Sequence, residues 1–186
     1  MQALLISLVA VAFAEVGDKT QLLALVLAAR YRKPWPICAG ILVATLTNHA
    51  LAGEAGVLLA HWLSPEVLRW LLGLSFLSVA IWALFPDKLD AQEAQRASHS
   101  GVFIATAVGF FLAEMGDRTQ VATAMIAAHY QPLWEVVAGT TLGMLVANVP
   151  VVFLGSRFAH RLPMRVTRLL AAALFAVLGV LILVRG

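Results

Sequence analysis

The chain has 186 residues, of which 61% are hydrophobic and 12% are charged, whereas a soluble domain carries about 25% charged residues. A soluble core of this size cannot bury so much apolar surface, so the composition predicts a membrane protein. The single cysteine, Cys38, excludes a disulfide scaffold and a cysteine-based zinc module. The net charge of +3 does not indicate nucleic-acid binding, because the basic residues form short clusters between apolar runs. Lipid is the expected surrounding, and no obligate protein partner is evident.

Six apolar stretches are long enough to cross a bilayer as helices, which takes about 20 residues each. The connectors between them hold prolines and charges. The stretches are roughly Ala3–Ala29, Ile37–Ala60, Val67–Phe85, Val102–Ala128, Glu135–Phe158 and Val166–Val184. We therefore predict an all-α integral membrane protein with six transmembrane helices.

Lysine and arginine in the connectors predict the orientation, because they favour the cytoplasmic side. One side of the membrane carries nine of them: Arg30, Arg32, Lys33, Lys88, Arg96, Arg157, Arg161, Arg165 and Arg168. The other side carries only Arg69 and Arg185. Both termini are therefore expected outside the cytoplasm, and the polar linker at 87–100 is expected inside.

The sequence repeats itself at an offset of 99 residues. The string at 14–21, AEVGDKTQ, matches AEMGDRTQ at 113–120, and further matches at the same offset run along the chain. Residues 1–86 and 101–186 are therefore predicted to be three-helix repeats joined by the linker. Because three spans is an odd number, the second repeat must enter the membrane from the opposite side. Such inverted-topology repeats are typical of secondary transporters, whose binding site lies near the midplane.

Six charged residues lie inside the first and fourth predicted spans, and each costs about 2.5–3.5 kcal/mol at mid-bilayer. They are Glu15, Asp18, Lys19, Glu114, Asp117 and Arg118. This cost predicts that they face each other or a water-filled cavity rather than lipid. On a continuous helix Glu15 and Asp18 would share a face. Glu15 with Lys19, and Glu114 with Arg118, have the i,i+4 spacing of helical ion pairs.

The chemistry of this group predicts a site for a hard divalent cation. The carboxylates of Glu15, Asp18, Glu114 and Asp117 contribute −4, and Lys19 and Arg118 balance two of these charges. The remaining −2 matches one divalent cation or two protons, so the same groups could exchange a metal for protons. Oxygen ligands favour Ca²⁺ or Mn²⁺ over Zn²⁺ or Cu⁺. The residues alone do not decide between Ca²⁺ and Mn²⁺.

Other residues of the two strings are predicted to support the site. Gly17 and Gly116 are expected to break or unwind their helices, which frees backbone carbonyls for cations. The neutral oxygens of Thr20, Gln21, Thr119 and Gln120 lie beside the acids in sequence. Asn48 and Asn148, in the second and fifth spans, are candidates either for direct ligands or for hydrogen-bonding supports of ligands, and interhelical contact is the alternative.

The two strings resemble the twin Glu-x-Gly-Asp-(Lys/Arg)-(Thr/Ser) motifs of the Gdt-type family. These small membrane transporters have Golgi, chloroplast and bacterial members and are regarded as Mn²⁺/Ca²⁺ exchangers driven by protons. The resemblance covers essentially the whole chain and implies a cation site built from Glu15, Asp18, Glu114 and Asp117. It also implies a bacterial inner-membrane protein that exports Mn²⁺ from the cytoplasm, with the metal as substrate and no resident cofactor.

Two other functions are compatible with parts of the pattern. An exporter of amino-acid-type small molecules would need groups that bind a carboxylate, and Lys19 and Arg118 could partly supply them. An intramembrane aspartyl protease would use Asp18 and Asp117. Such enzymes have a Gly-x-Gly-Asp string at one aspartate, whereas Glu15 and Glu114 stand at the first position of the two strings here, so no enzymatic activity is expected. Glu54, in the second span, has no acidic counterpart because position 153 is Phe153, and it receives no role.

Overall fold

The computed structural model describes residues 1–85, 101–154 and 164–185, in which every regular element is an α-helix. The helices are α1 (Gln2–Glu15), α2 (Lys19–Tyr31), α3 (Pro34–Trp62), α4 (Pro65–Ala83), α5 (Val102–Glu114), α6 (Arg118–His129), α7 (Leu133–Leu154) and α8 (Met164–Arg185). The all-α prediction is therefore confirmed for these residues. The predicted linker at 87–100 and the basic connector with Arg157 and Arg161 lie outside them.

Three of these helices, α3, α4 and α7, are long and apolar enough to cross a membrane. Proline at the first position starts both α3 and α4, where its missing N–H is tolerated and its fixed φ suits a helix. The predicted spans Ala3–Ala29 and Val102–Ala128 are not single helices. Each is divided in two, into α1 and α2 and into α5 and α6, at the repeated motif.

The helix ends follow the sequence repeat. The helices α2, α3 and α4 begin at residues 19, 34 and 65, and their counterparts α6, α7 and α8 begin at residues 118, 133 and 164. Each is displaced by the same 99 residues. The two halves exchange their first helices, because α1 packs against α7 and α5 packs against α3. Helices α4 and α8 pack against each other.

Equivalent glycines allow close contact of α3 with α5 and of α7 with α1. A Cβ on Gly40 of α3 would lie 2.9 Å from the carbonyl oxygen of Phe103 on α5. A Cβ on Gly139 of α7 would collide with the carbonyl oxygen of Leu4 on α1. Small residues of this kind let membrane helices approach backbone to backbone. Each pair of positions is the counterpart of the other at the offset of 99.

The two halves also meet through equivalent residues. The rings of Phe76 on α4 and Phe175 on α8 stack with their centroids 6.2 Å apart and their planes 22° apart. Both side chains are fully buried. Contact between a residue and its own counterpart is the signature of a two-fold axis. The packing of α4 against α8 is therefore consistent with a two-fold relation between the halves.

We expect the substitution Gly139→Val to destabilise the protein by about 1–3 kcal/mol, the usual cost of overpacking a tight contact. The new side chain would collide with the backbone of α1, which cannot move aside as a flexible side chain can. The midpoint of thermal unfolding in detergent, followed by circular dichroism, measures the effect. Gly101→Ala is the control, because a Cβ there meets nothing within 4 Å. Equal midpoints for the two variants would contradict the close contact.

Candidate metal centre

Both repeated motifs interrupt their helices at a glycine. Helix α1 ends at Glu15 and α2 begins at Lys19, while α5 ends at Glu114 and α6 begins at Arg118. Gly17 has a φ of 85° and Gly116 a φ of 74°. Both values lie in the left-handed region, where a side chain is strained and glycine is not. The motif thus places its glutamate at the end of one helix and its aspartate at the start of the next.

The glutamine of each motif holds the interruption in place. The N–H of Gly17 donates to Oε1 of Gln21 at 2.9 Å, and the N–H of Gly116 donates to Oε1 of Gln120 at 2.7 Å. The amide groups of the two glutamines continue to the opposite half. Nε2 of Gln21 donates to the carbonyl of Ala147 at 3.0 Å, and Nε2 of Gln120 donates to Oδ1 of Asn48 at 2.5 Å. The side-chain oxygens of Gln21 and Gln120, which were predicted to be supporting ligands, therefore accept hydrogen bonds from the backbone of the two turns.

Three carboxylates converge where the interrupted helices meet. Glu15, Asp18 and Asp117 each offer one oxygen within 4.8 Å of the others. All three residues are buried, at 0%, 0% and 1% exposure. Oxygens on opposite sides of a bound Ca²⁺ are about 5 Å apart, so the spacing suits a single ion. The group joins both halves of the chain, because Asp117 belongs to the second motif.

Two oxygens of this group are buried with neither a hydrogen bond nor an ion pair among the described residues. They are Oε1 of Glu15 and Oδ2 of Asp18. A buried carboxylate oxygen that accepts no hydrogen bond costs free energy in the folded state, so native proteins rarely leave one without a role. A hard cation would supply the missing partner for both oxygens. The donor set therefore fits a cation such as Mn²⁺ or Ca²⁺.

The fourth predicted ligand, Glu114, lies outside this three-carboxylate group. Its Oε1 accepts a hydrogen bond from Thr45 at 2.8 Å, and its Oε2 accepts one from Asn48 at 3.2 Å. Both donors lie on α3. Their counterparts at the 99-residue offset are Met144 and Ala147, whose side chains donate no hydrogen bond. The two glutamates are therefore held differently, although their motifs are alike.

The two motif cations pair across the halves rather than along one helix. Nζ of Lys19 lies 3.6 Å from Oδ1 of Asp117, and Nη2 of Arg118 contacts Oδ1 of Asp18. The prediction that Glu15 and Lys19 form an i,i+4 pair is wrong, because the chain leaves the helix between them. The prediction that Glu15 and Asp18 share a helix face fails for the same reason. For the second motif, the pair that the structure records for Arg118 is with Asp18 rather than with the predicted Glu114.

The motif threonines orient the carboxylates. The hydroxyl of Thr20 donates to Oε2 of Glu15, and the hydroxyl of Thr119 donates to Oδ2 of Asp117 at 3.2 Å. Asn148 is buried and donates to the carbonyl of Met144 at 3.1 Å, within its own helix. Sequence reasoning missed Thr45. The available signal was its spacing of three residues from Asn48, which places both on one face of a helix.

Two further polar residues of α3 differ in burial. Glu54 is exposed and lies outside the group of three carboxylates. His49 is fully buried, and neither of its ring nitrogens has a hydrogen-bond partner among the described residues. Neither residue contributes to the group that the structure brings together.

Comparison with known proteins finds one family along most of the chain. Residues 3–91 and 102–186 match the family model described as divalent cation/proton antiporter GDT1. A Vibrio cholerae protein, whose name describes it as a candidate manganese exporter, is 52% identical over 180 residues, covering 96% of this chain and 89% of its own. A GDT1-like protein of Synechocystis is 27% identical, covering 93% of this chain and 92% of its own.

GDT1-like protein 3 of Oryza sativa subsp. indica is 28% identical, covering 93% of this chain and 70% of its own. No solved structure matches the chain. The family model spans both halves, including both interrupted helices and all four acidic motif residues. The chain therefore belongs to the GDT1 family of divalent cation/proton antiporters.

Proposed function

We propose that this protein exports Mn²⁺ from the cytoplasm in exchange for protons, and that Glu15, Asp18 and Asp117 bind the ion. The observation that carries the proposal is the convergence of these three buried carboxylates at two helix interruptions, with two oxygens that have neither a hydrogen bond nor an ion pair among the described residues. Oxygen ligands suit Mn²⁺, and the name of the Vibrio cholerae relative refers to the same metal. Mn²⁺ is the transported substrate.

The charges of the motifs support exchange of one divalent ion for two protons. Four carboxylates and two cations leave a formal charge of −2 among the six residues. One Mn²⁺ balances this charge, and so do two protons. Exposing the site alternately to the two sides, first with the metal and then with the protons, would move them in opposite directions.

The position of the group between the halves gives a route to alternating access. Glu15 and Asp18 belong to the first half, whereas Asp117 belongs to the second. A movement of one half against the other changes the distances among the three carboxylates and thereby lowers their affinity for the ion. Sites at the interface of two repeats are the usual arrangement for such movements.

We further propose that the halves are inverted repeats with three membrane crossings each. The exchanged packing of α1 and α5, the contact of Phe76 with Phe175 and the reciprocal ion pairs support a two-fold relation. In this topology the divided helices α1–α2 and α5–α6 form one crossing each. We also propose that the protein lies in the inner membrane of a bacterium with both termini outside the cytoplasm, because lysine and arginine in the connectors favour the cytoplasmic side.

The alternative functions fit the site less well. An amino-acid exporter would use Lys19 and Arg118 to bind a substrate carboxylate, but both cations already contact aspartates of this chain. An aspartyl protease shares a proton between two neighbouring aspartates. Asp18 and Asp117 instead each contact a cation from the opposite half, an arrangement suited to two ionised carboxylates.

Flux measurements in proteoliposomes test the proposed function. We expect a Mn²⁺ gradient to drive Mn²⁺ movement, read by a metal-sensitive dye on one side, together with proton movement in the opposite direction, read by a pH-sensitive dye. Liposomes without protein are the control, and Ca²⁺ is measured in parallel. Mn²⁺ flux without proton movement would refute the coupling, and absence of Mn²⁺ flux would refute the substrate.

A further inference from the structure

The two ion pairs of the site are equivalent by sequence but unequal in their surroundings. The side chain of Arg118 is 3% exposed and contacts Asp18, which is fully buried. The side chain of Lys19 is 18% exposed. Lys19 is thus partly exposed, and Gly116, directly before the partner Asp117, is exposed. The Lys19–Asp117 pair therefore lies at the accessible edge of the site, and the Arg118–Asp18 pair lies in its interior.

The carboxylate of Asp117 has two competing uses. It belongs to the three-carboxylate group that suits a divalent ion, and its Oδ1 lies 3.6 Å from the ammonium of Lys19. A bound divalent ion and the ammonium would then lie close together in a poorly solvated site, where like charges repel strongly. Occupation by the metal and close pairing with Lys19 are therefore antagonistic.

We propose that Lys19 is an internal counter-ion that the transported divalent cation displaces from Asp117, and that returns to Asp117 when the cation leaves. This inference rests on the proposed function. Lys19 thereby lowers the affinity of the site and promotes release of the ion. Its positive charge also balances Asp117 while the carboxylate group holds no metal.

The chemistry of the two side chains explains why the metal displaces Lys19 rather than Arg118. The lysine ammonium is a compact, strongly hydrated charge on a flexible stem, so it can leave a carboxylate for a wetter position. The arginine guanidinium is planar and suited to fixed pairing with a carboxylate. The exposures follow the same division, because the side chain of Lys19 is more exposed than that of Arg118. Arg118 is thus the permanent partner of Asp18.

If Lys19 competes with the metal, or if it only supports Asp117, removal of its charge changes the Mn²⁺ affinity in opposite directions. If Lys19 only held Asp117 in position, its removal would loosen the carboxylate group and weaken metal binding. If Lys19 competes with the metal, its removal strengthens binding and slows release. The direction of the change in Mn²⁺ affinity therefore distinguishes a competitor from a structural support.

Equilibrium binding of Mn²⁺ to the purified protein in detergent provides the test, with free Mn²⁺ measured by electron paramagnetic resonance. We expect Lys19→Met and Lys19→Gln to bind Mn²⁺ at least about tenfold more tightly than the wild type, because a repelling charge is lost. Lys19→Arg retains the charge, as the second motif does at Arg118, and is expected not to tighten binding. Lys33→Gln removes an exposed lysine outside the site and serves as the charge-matched control.

The rate of Mn²⁺ release into excess chelator gives a second measurement, and it is expected to fall in both neutral variants. Unchanged or weaker binding by both neutral variants, with binding by the wild type intact, would overturn the role of Lys19. Absence of Mn²⁺ binding by the wild type would instead overturn the proposed function itself. Monodisperse elution during size-exclusion chromatography establishes that each variant is folded before its affinity is compared.

Discussion

Asp18→Asn is expected to reduce Mn²⁺ transport by at least about a hundredfold, because the number of charged ligands strongly tunes the affinity of oxygen sites for divalent ions. The substitution keeps the size of the side chain but removes its negative charge. It also converts the Oδ2 position, which is buried without a hydrogen bond, into part of a neutral amide. The initial rate of Mn²⁺ flux in proteoliposomes measures the effect.

Asp18→Asn removes both a proposed metal ligand and the partner of Arg118. A second substitution distinguishes the loss of the ligand from the loss of the ion pair. Glu15→Gln neutralises a carboxylate of the same group that has no cation partner among the recorded salt bridges. It is expected to reduce transport to a similar degree. Glu54→Gln is the matched control, because Glu54 is an exposed acid of α3 outside the group. Near wild-type flux in Asp18→Asn and Glu15→Gln would exclude these carboxylates from the transport site.

Arg118→Met is expected to lower the free energy of unfolding by about 3–5 kcal/mol, the usual cost of removing one partner of a buried ion pair. The loss arises because Asp18, at 0% exposure, would stay buried without the guanidinium that contacts it. Denaturant titration in detergent micelles measures the change. The exposed Arg30, changed to methionine, serves as the control for loss of an arginine.

The double variant Asp18→Asn/Arg118→Met isolates the pair itself. Because neither charge remains, its stability is expected to exceed that of Arg118→Met alone. An equally unstable double variant would show that Arg118 acts mainly through contacts other than Asp18. A stable Arg118→Met single variant would contradict the buried pair altogether.

The sequence repeat is reflected in the helix starts, because the same local signals recur at one offset. The starts of α2, α3 and α4 are reproduced 99 residues later in α6, α7 and α8. Hydropathy predicted where apolar segments lie, but it could not separate one helix from two. The division at Gly17 depends on a glycine with positive φ and on the side chain of Gln21, neither of which affects hydropathy.

The contacts among the charged motif residues could be predicted from the sequence only in part. The cost of burying charge in lipid correctly indicated that the motif acids and cations would contact each other. Their pairing was wrongly assigned because i,i+4 spacing has meaning only within an uninterrupted helix. Lys19 and Asp117 are far apart in sequence, and only the packing of the two halves brings them together.

The different hydrogen bonding of Glu114 follows from a difference that the repeat itself contains. Thr45 and Asn48 donate hydrogen bonds to Glu114, whereas the equivalent positions in the second half hold Met144 and Ala147. A position-by-position comparison of α3 with α7 exposes this difference. Its consequence for Glu114 requires the contact of α3 with α5, which is a tertiary feature.

The most direct test of the carboxylate site is an anomalous-scattering map from crystals of the protein grown with Mn²⁺. We expect one strong manganese peak between the carboxylates of Glu15, Asp18 and Asp117, with Lys19 withdrawn from Asp117. A manganese peak elsewhere in the protein, with these three carboxylates unchanged, would contradict the account.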